Sequence, residues 1–321
     1  GGPATYAKNL KEEWEKNGHQ VKVLFFRLEK KLPTGVRHLY YFFRLLFNLS
    51  SVDFILILDT FSVGLPTILA AKLFNKKTIL RTGGDFLWEQ YVKNHRIDIT
   101  LKDFYISRPK LNFKERTIYF LTKYILRNVN LLIFSTIWQR DIFIKNYNLK
   151  EGLCRIVENF YPLKSKENFS YQEKNFLWAG RMIRLKNVER LRRAMVEAQK
   201  QRPDFSLDLI TGVSSEELAQ KIKNSYAIIL PSLSEISPNF ILEAIKYNKP
   251  FIVTRENGLM NRIEELGIFI DPLDEEDIKS KILYLAEENN YKLAREKNKN
   301  FNFTHSWQEI AKEFICLFQK I

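Results

Sequence analysis

Residues 226–254, "YAIILPSLSEISPNFILEAIKYNKPFIVT", decide the fold of this chain. An apolar run at 226–232 predicts a strand, the segment 238–248 has the length and pattern of a helix, and 250–254 predicts a second strand. Continuous Val, Ile and Leu runs separated by a helix are typical of parallel strands that are covered on both faces.

The same alternation continues through the chain in both directions from this stretch. The predicted strands are 20–26, 53–59, 77–84, 130–135, 154–160, 175–180, 205–212 and 267–272. The predicted helices are 35–51, 62–74, 115–129, 137–147, 187–201, 215–224 and 275–288. The pattern predicts an α/β fold with two doubly wound, Rossmann-like parallel-sheet domains and a ligand cleft between them, beyond the carboxyl ends of the strands.

A polar, aperiodic stretch at 161–173 predicts a linker, so we expect one domain at 1–160 and a second from 161 to 303. The chain opens with a glycine pair and an amphipathic helix, an arrangement that normally follows a strand. We therefore expect that the first strand of the first domain is missing and that the sequence is a fragment. Residues 54–74 have the length of a membrane span, but Asp59 and Pro66 favour a strand, turn and helix.

The composition of the 321 residues indicates a globular chain with an uneven charge. Two cysteines exclude a disulfide framework, and the four histidines lack metal-ligand spacing. The net charge is +14, and residues 1–160 hold 26 Lys and Arg against 14 Asp and Glu. This basic half favours an anionic partner such as lipid headgroups or phosphorylated acceptors, although solvated lysine-rich helices explain it equally well. No recognition motif for nucleic acid is present.

Two glutamates, Glu235 and Glu243, lie eight positions apart within the opening stretch. Ser237 is a suitable N-cap and Pro238 a suitable first helical residue, so the free N–H groups of this helix are expected to form an anion site. A carboxylate at Glu243, between apolar neighbours, requires partners such as sugar or ribose hydroxyls. Two glutamates at this spacing also occur by chance.

A second candidate element is "FLWAGRMIRLKNVERL" at 176–191, in which a strand ends at Gly180. Arg181 follows that strand, and Lys186 begins the next helix. Arg offers a planar fork and Lys a point charge, which together suit a diphosphate. The alternative is a pair of surface cations at a helix start, where the helix dipole disfavours them.

Together these elements resemble the retaining glycosyltransferases of family 4, the group 1 transferases with the GT-B fold, over nearly the whole chain. The carrying motifs are "GRMIRLKN" and "PSLSEISPNFILEA", supported by "GGPATYAKNL" at the start and by "FTHSWQEIAKEF" at 303–314. The resemblance implies a C-terminal helix, 304–321, that returns to the first domain.

The resemblance also implies a role for each matching residue. Arg181 and Lys186 would hold the diphosphate of a nucleotide-sugar, Glu235 the hydroxyls of the transferred sugar and Glu243 the ribose. The remaining implied donor-binding positions, which approach the phosphates through their backbone, are Gly1, Gly2, Gly180, Ser237, Pro238 and Asn239.

Three departures from the family pattern qualify these roles. The segment after "DLITG" is contracted, which leaves the nucleobase open, and "EISPN" lacks the usual glycines. Where many members have a histidine, this chain has Gly83, Gly84 and Asp85. These three residues suit a sugar or acceptor contact, and a turn with an N-cap aspartate is the equal alternative.

The expected activity is metal-independent transfer of a sugar from a nucleotide-diphosphate-sugar to an acceptor hydroxyl, with retention of configuration and without a protein nucleophile. Arg181, Lys186 and Glu235 are the expected catalytic residues, and no cofactor is expected. The resemblance implies a saccharide or lipid-linked acceptor and a role in cell-surface glycan synthesis. It also implies a cytoplasmic location at an anionic membrane surface. The alternatives are an epimerase-like GT-B enzyme and a non-catalytic basic binding protein.

Overall fold

The computed structural model describes residues 2–26, 31–167, 169, 171 and 173–321. The chain divides into two compact units. Unit 1 consists of Gly1–Leu87, Lys110–Phe160 and His305–Ile321, and unit 2 of Trp88–Pro109 and Tyr161–Thr304.

Unit 1 is built on a parallel sheet of four strands in the order β1-β2-β3-β4. Its strands are β1 (Phe54–Ile57), β2 (Lys77–Arg81), β3 (Leu131–Phe134) and β4 (Cys154–Ile156). Its helices are α1 (Gly2–Lys16), α2 (Thr34–Leu46), α3 (Gly64–Leu73), α6 (Phe113–Arg127), α7 (Ile137–Tyr147) and α14 (Trp307–Phe318), and α4 (Phe86–His95) starts in this unit and ends in the other.

Unit 2 is built on a parallel sheet of five strands in the order β6-β5-β7-β8-β9. Its strands are β5 (Lys174–Ala179), β6 (Phe205–Ile210), β7 (Ala227–Leu230), β8 (Phe251–Thr254) and β9 (Ile268–Ile270). Its helices are α5 (Leu101–Ser107), α8 (Val188–Gln199), α9 (Ser215–Asn224), α10 (Asn239–Lys246), α11 (Met260–Ile263), α12 (Glu275–Ala286) and α13 (Glu288–Asn300).

The predicted fold class, two parallel-sheet α/β units of Rossmann type, is confirmed. The strands β3, β7 and β8 are buried along their whole length, as expected for strands that are covered on both faces. The opening stretch forms β7, α10 and β8, and Ile228 pairs in parallel with Phe251. The helices missed from the sequence include α13, whose segment ENNYKLAREKNKN lacks an apolar stripe long enough to indicate a helix.

Aromatic side chains join the first and last helices of unit 1. Trp14 of α1 donates its indole N–H to the carbonyl oxygen of Ala311 in α14 at 3.0 Å. The rings of Tyr6 and Trp307 meet edge to face, with their centroids 4.9 Å apart. The buried face of α14, which includes Phe314, therefore belongs to the same core as α1.

The prediction of a strand at 20–26 was wrong. Residues 19–26 form no sheet ladder in the described part of the chain. An apolar run becomes a strand only when a neighbouring strand supplies its hydrogen bonds. Here Leu24 and Phe26 instead pack against the buried face of α2, where the Tyr41 hydroxyl donates to the carbonyl oxygen of Leu24 at 3.4 Å.

Residues 88–109 belong to unit 2 by their contacts, whereas the sequence-based boundary placed them in the first domain. Thr100 caps α5 by accepting from the N–H of Asp103. The N–H of Leu101 then donates to the hydroxyl oxygen of Ser234 at 2.9 Å. This bond attaches the start of α5 to the loop that follows β7.

The stretch 161–173, predicted as a linker, packs against unit 2 at several of its described residues. Tyr161 is buried, with its ring edge-on to Phe303. The N–H of Ser165 donates to the carbonyl oxygen of Lys246, the last residue of α10, at 2.8 Å. A polar composition therefore did not prevent this segment from forming fixed contacts.

The apolar stretch 54–74 folds as β1, a turn and α3, as its Asp59 and Pro66 indicated. Asp59 accepts hydrogen bonds from the N–H groups of Phe61 and Ser62, which forms the turn. Across the described residues, no helix combines the length and the apolar character that crossing a membrane would require.

Lys249, just before β8, is buried, and no carboxylate among the described residues pairs with its ammonium group. Its Nζ donates to the carbonyl oxygen of Ser225 at 2.7 Å. Burial, with a smaller contribution from Arg295, lowers the pKa of Lys249 to about 8. The unfolded chain binds this proton more tightly, so the free energy of unfolding should rise with pH from about 8 towards the ordinary lysine value.

We predict that Lys249→Met changes this pH dependence. The quantity to compare is the free energy of unfolding of the variant minus that of the parent. This difference should be highest below about pH 8 and should fall by about 2–3 kcal/mol as the pH rises to about 10.5, because the parent gains stability over that range. Urea unfolding at a series of pH values measures the difference. Lys297→Met, on the exposed side of α13, is the control and should give a constant difference. A constant difference for Lys249→Met as well would contradict the assignment.

Candidate functional site

The turn after β5 carries the two cations predicted from the sequence. Gly180 directly follows the strand, and a Cβ atom there would lie 3.1 Å from the buried indole of Trp178, so the position favours glycine. Arg181 is exposed, and its side chain makes no hydrogen bond or ion pair with a described residue. Lys186 ends a short 3-10 turn, Arg184–Lys186, and is partly buried.

Asn187, directly after Lys186, fixes this turn to two other loops. It is buried and has left-handed backbone geometry, with φ 56°. Its Nδ2 donates to the carbonyl oxygens of Pro231 at 3.0 Å and Pro272 at 2.6 Å. Its Oδ1 accepts from Arg190 at 2.9 Å. One amide therefore joins the start of α8 to the ends of β7 and β9.

Lys186 and Glu235 form an ion pair, Nζ to Oε1, between the turn after β5 and the loop after β7. The side chain of Glu235 is only 12% exposed. The backbone of Glu235 is also held, because its N–H donates to the carbonyl oxygen of Glu256 and its own carbonyl accepts from Gly258, both at 2.9 Å. The structure therefore brings together one cation and one glutamate of the predicted set.

The start of α10 differs from the prediction that Ser237 is the N-cap. Pro238 is the N-cap, since its carbonyl oxygen accepts from the N–H groups of Ile241 and Leu242. The Ser237 hydroxyl is buried and has no hydrogen-bond partner. The N–H groups of Asn239 and Phe240 also lack an acceptor among the described residues, as expected for the first turn of a helix. These donors could bind an anion.

Glu243 lies on the partly exposed side of α10, although Leu242 and Ala244 on either side are buried. Its Oε2 is 3.7 Å from Nζ of Lys246, one turn later. Helical periodicity therefore turns the Glu243 carboxylate outward, so buried neighbours in the sequence do not bury it. Among the described residues, no hydrogen bond or ion pair joins Glu243 to Glu235, Arg181 or Lys186.

Sequence reasoning missed Asp98, which lies between α4 and α5. Its carboxylate pairs with Arg184 at 2.7 Å and with Arg190 at 3.2 Å. These two arginines flank Lys186 and Asn187, so Asp98 supports the turn that carries the lysine. Nothing local in the sequence indicates this contact, because Asp98 and Arg190 are 92 positions apart.

Glu256 is a second carboxylate beside Glu235 that the sequence did not indicate. One of its oxygens is buried without a hydrogen-bond partner. Burial raises the pKa of Glu256, and the charge of Lys102 acts in the opposite direction. Its backbone position in the loop after β8 is fixed by the hydrogen bond from Glu235.

The predicted acceptor contacts lie in unit 1, after β2. The Gly83 carbonyl accepts from Nε2 of Gln139, and Gly84 is exposed. Asp85 is buried and directly precedes α4, in the N-cap position of the alternative interpretation. Gly2 begins α1, and Gly1 lies outside the described residues.

Known proteins share both the second unit's sequence pattern and the fold of the whole chain. Residues 209–288 match the family model "Glycosyl transferases group 1". No curated protein sequence matches the chain.

Three solved structures illustrate the likeness in fold. WaaG, "a glycosyltransferase involved in lipopolysaccharide biosynthesis", is 12% identical, with 99% of this chain and 96% of WaaG covered and a TM-score of 0.68. The sucrose-phosphate synthase of Thermosynechococcus elongatus is 16% identical, with coverage of 94% and 80% and a TM-score of 0.67. HepE of Anabaena, solved with UDP-glucose, is 11% identical, with coverage of 88% and 82% and a TM-score of 0.67. The resemblance to the group 1 glycosyltransferases and their GT-B fold is confirmed.

We predict that Asn187→Ala destabilises the protein by about 2–4 kcal/mol, because it strains a left-handed residue, leaves the Pro231 carbonyl without its donor and removes one of the two donors to the Pro272 carbonyl. Urea or thermal unfolding measures the loss. Asn148→Ala is the matched control, since Asn148 is exposed and left-handed at φ 51°, and it should cost only about 1–2 kcal/mol. Equal losses in the two variants would mean that the Asn187 side chain contributes nothing.

Proposed function

We propose that this protein transfers a sugar from a nucleotide-diphosphate-sugar to an acceptor hydroxyl, with retention of configuration. The observation that carries the proposal is the ion pair of Lys186 with Glu235 at the carboxyl ends of β5 and β7. The lysine comes from one family motif and the glutamate from the other, and they are 49 positions apart. Ligands of parallel α/β sheets bind at this edge.

The donor diphosphate is proposed to meet Arg181, Lys186 and the first N–H groups of α10. Positive charge at these groups stabilises the diphosphate as it leaves the sugar, without a metal ion. The exposed Arg181 is free to reach a ligand, whereas Lys186 already has Glu235 as a partner. The buried Ser237 hydroxyl without a partner provides a further donor in the same loop.

The two glutamates are assigned different roles. Glu235 is fixed by its backbone and by Lys186, which suits a carboxylate that accepts hydrogen bonds from the hydroxyls of the transferred sugar. Glu243 lies on the outward side of α10, where it would accept from the ribose hydroxyls. We name no protein nucleophile, and the leaving phosphate itself is proposed to help remove the acceptor proton.

Four substitutions test these roles. Arg181→Ala and Lys186→Ala should each weaken calorimetric affinity for a nucleoside diphosphate, because a charge-assisted hydrogen bond contributes about 1.5–3 kcal/mol. Glu243→Gln should weaken the same affinity, and Glu235→Gln should spare it while slowing sugar transfer. Arg193→Ala, which removes an exposed arginine on α8, is the control. Unchanged affinity in both cation variants would refute the donor site.

Chelation tests the metal-free mechanism. In the described ranges, no group of three His, Cys, Asp or Glu side chains is placed to hold a metal. With excess EDTA, sugar transfer should persist at close to its original rate. A complete loss that magnesium restores would contradict this part of the proposal and leave the donor site unaffected.

We also propose that unit 1 binds an anionic membrane surface through three neighbouring helices, at the cytoplasmic side, where it would act on a saccharide or lipid-linked acceptor in cell-surface glycan synthesis. Helix α3 lies between α2 and α6 and contacts both. The three helices and the residues that directly follow them carry large apolar side chains that are exposed. We call these side chains together the apolar face: Val36, Leu39, Tyr40, Phe43, Phe47, Leu69, Leu73, Phe74, Phe113, Phe120 and Tyr124.

The charges around the apolar face are of one sign. Helices α2, α3 and α6 carry seven Lys and Arg residues and a single carboxylate, Glu115. Glu115 is buried and caps α6 with Asn112, so it does not offset the cations at the surface. Large exposed apolar area together with unopposed positive charge is the composition of a membrane-binding surface.

Vesicle sedimentation tests this surface. Binding should require anionic lipid and should weaken as salt rises, because each basic residue contributes about 1 kcal/mol near such a surface. The triple variant Leu39→Ser, Phe43→Ser and Phe47→Ser should lose most binding. Val196→Ser with Leu293→Ser, which removes exposed apolar residues of unit 2, should not. Equal recovery in the supernatant with anionic and neutral vesicles would remove the membrane claim.

A further inference from the structure

Arg81, the last residue of β2, is a buried cation that unit 1 leaves without a counter-ion. Its side chain and backbone are only 8% exposed. Its Nη2 donates to Oδ1 of Asn159, and its guanidinium lies over the ring of Tyr6, 3.9 Å from the centroid. Its Nε is buried without an acceptor. No ion pair joins Arg81 to a carboxylate anywhere in the described part of the chain.

The two side chains that touch Arg81 cannot neutralise it. Asn159 is uncharged, and burial raises the pKa of Tyr6 to about 12, so this phenol stays protonated at neutral pH. Burial also lowers the pKa of Arg81, yet an arginine stays charged because its ordinary value is so high. The cluster therefore holds one positive charge in a place where burying an unpaired charge is costly.

The carboxylate on the other side of the cluster is already engaged. The two ring nitrogens of His305 lie 3.1 Å from the carbonyl oxygen of Asn159 and 3.2 Å from Oε1 of Glu313. The His305 contact thus holds Asn159 in place and occupies Glu313. The Tyr6 hydroxyl, in contrast, is buried and makes no hydrogen bond of normal geometry.

The position of Arg81 is that of a ligand-binding residue in this fold class. It ends a strand at the carboxyl edge of a parallel sheet, where ligands of α/β proteins bind. Two residues later, at Gly83, the space that a Cβ atom would fill is open. Arg81 therefore combines a planar fork of donors with an unfilled hydrogen bond, at the edge of the sheet where ligands bind.

We propose that Arg81, with the Tyr6 hydroxyl, binds an oxyanion, the phosphate or carboxylate group of the acceptor. The proposal rests on the proposed sugar transfer and narrows it to acceptors that carry negative charge. A guanidinium matches either oxyanion with paired N–H donors, and a bound anion would supply the counter-ion that the fold lacks.

An isosteric substitution tests the site within the folded protein. Asn159→Asp keeps the hydrogen bond to Arg81 and supplies a permanent counter-ion. It should raise the unfolding temperature and weaken calorimetric binding of inorganic phosphate by about tenfold or more. Arg81→Gln should also lose phosphate binding. Asn289→Asp makes the same charge change at an exposed position of unit 2 and should leave both measurements unchanged.

Two further ligands separate this site from the donor site and identify the anion. UDP should bind to Arg81→Gln as tightly as to the parent and should bind poorly to Lys186→Ala. Phosphate should bind poorly to Arg81→Gln and as tightly to Lys186→Ala as to the parent. Acetate, titrated beside phosphate, shows which oxyanion the site prefers. The proposal is overturned if Asn159→Asp binds phosphate as the parent does, or if it lowers the unfolding temperature. Phosphate binding that is lost only in Lys186→Ala overturns it too, and leaves the donor site standing.

Discussion

The amide of Asn187 is the contact on which the rest of the site in unit 2 depends. A parallel sheet brings strand ends to one edge, but it does not fix the loops that leave those ends. By donating to Pro231 and Pro272, Asn187 fixes two of these loops relative to the start of α8. Lys186 precedes it directly, so this buried side chain, together with the pairing of Asp98 with Arg184 and Arg190, helps to place the lysine opposite Glu235.

Lys186 and Arg81 are cations at the carboxyl edges of the two sheets, and they differ in whether a carboxylate pairs with them. Lys186 has a carboxylate partner, so an anion that approaches it competes with Glu235. Such an exchange costs little only if the ligand also supplies hydroxyls for Glu235, as a sugar joined to a diphosphate does. Arg81 has only Asn159 and the ring of Tyr6, and an anion there would meet no competing carboxylate. The Lys186–Glu235 pair therefore suits a ligand that carries both a diphosphate and sugar hydroxyls, whereas Arg81 suits a single anionic group.

Most of the fold could be predicted from the sequence because it depends on local pattern. Runs of Val, Ile and Leu at the lengths of strands, separated by helical segments, predicted all nine of the described strands within a few residues. The run at 20–26 failed because a strand also needs a neighbour, which a local pattern does not contain. The pairing of Lys186 with Glu235 was accessible through family spacing. Asn187 and Asp98 were not, since their partners are brought close only by the folded chain.

The charge of unit 1 is concentrated on particular helices, which a generally lysine-rich composition does not explain. Helix α1 has three Lys–Glu pairs at helical spacing, so its cations are balanced along its own surface. In unit 2, α8 and α13 are balanced in the same way, for example by Lys200 with Glu197 and Lys292 with Glu288. Helices α2, α3 and α6 have no exposed carboxylate, and with their flanking residues they expose most of the large apolar side chains of the unit that are exposed. Solvated helices gain from balancing their charges, so the absence of this balance only where apolar residues are exposed favours a partner that is both anionic and apolar.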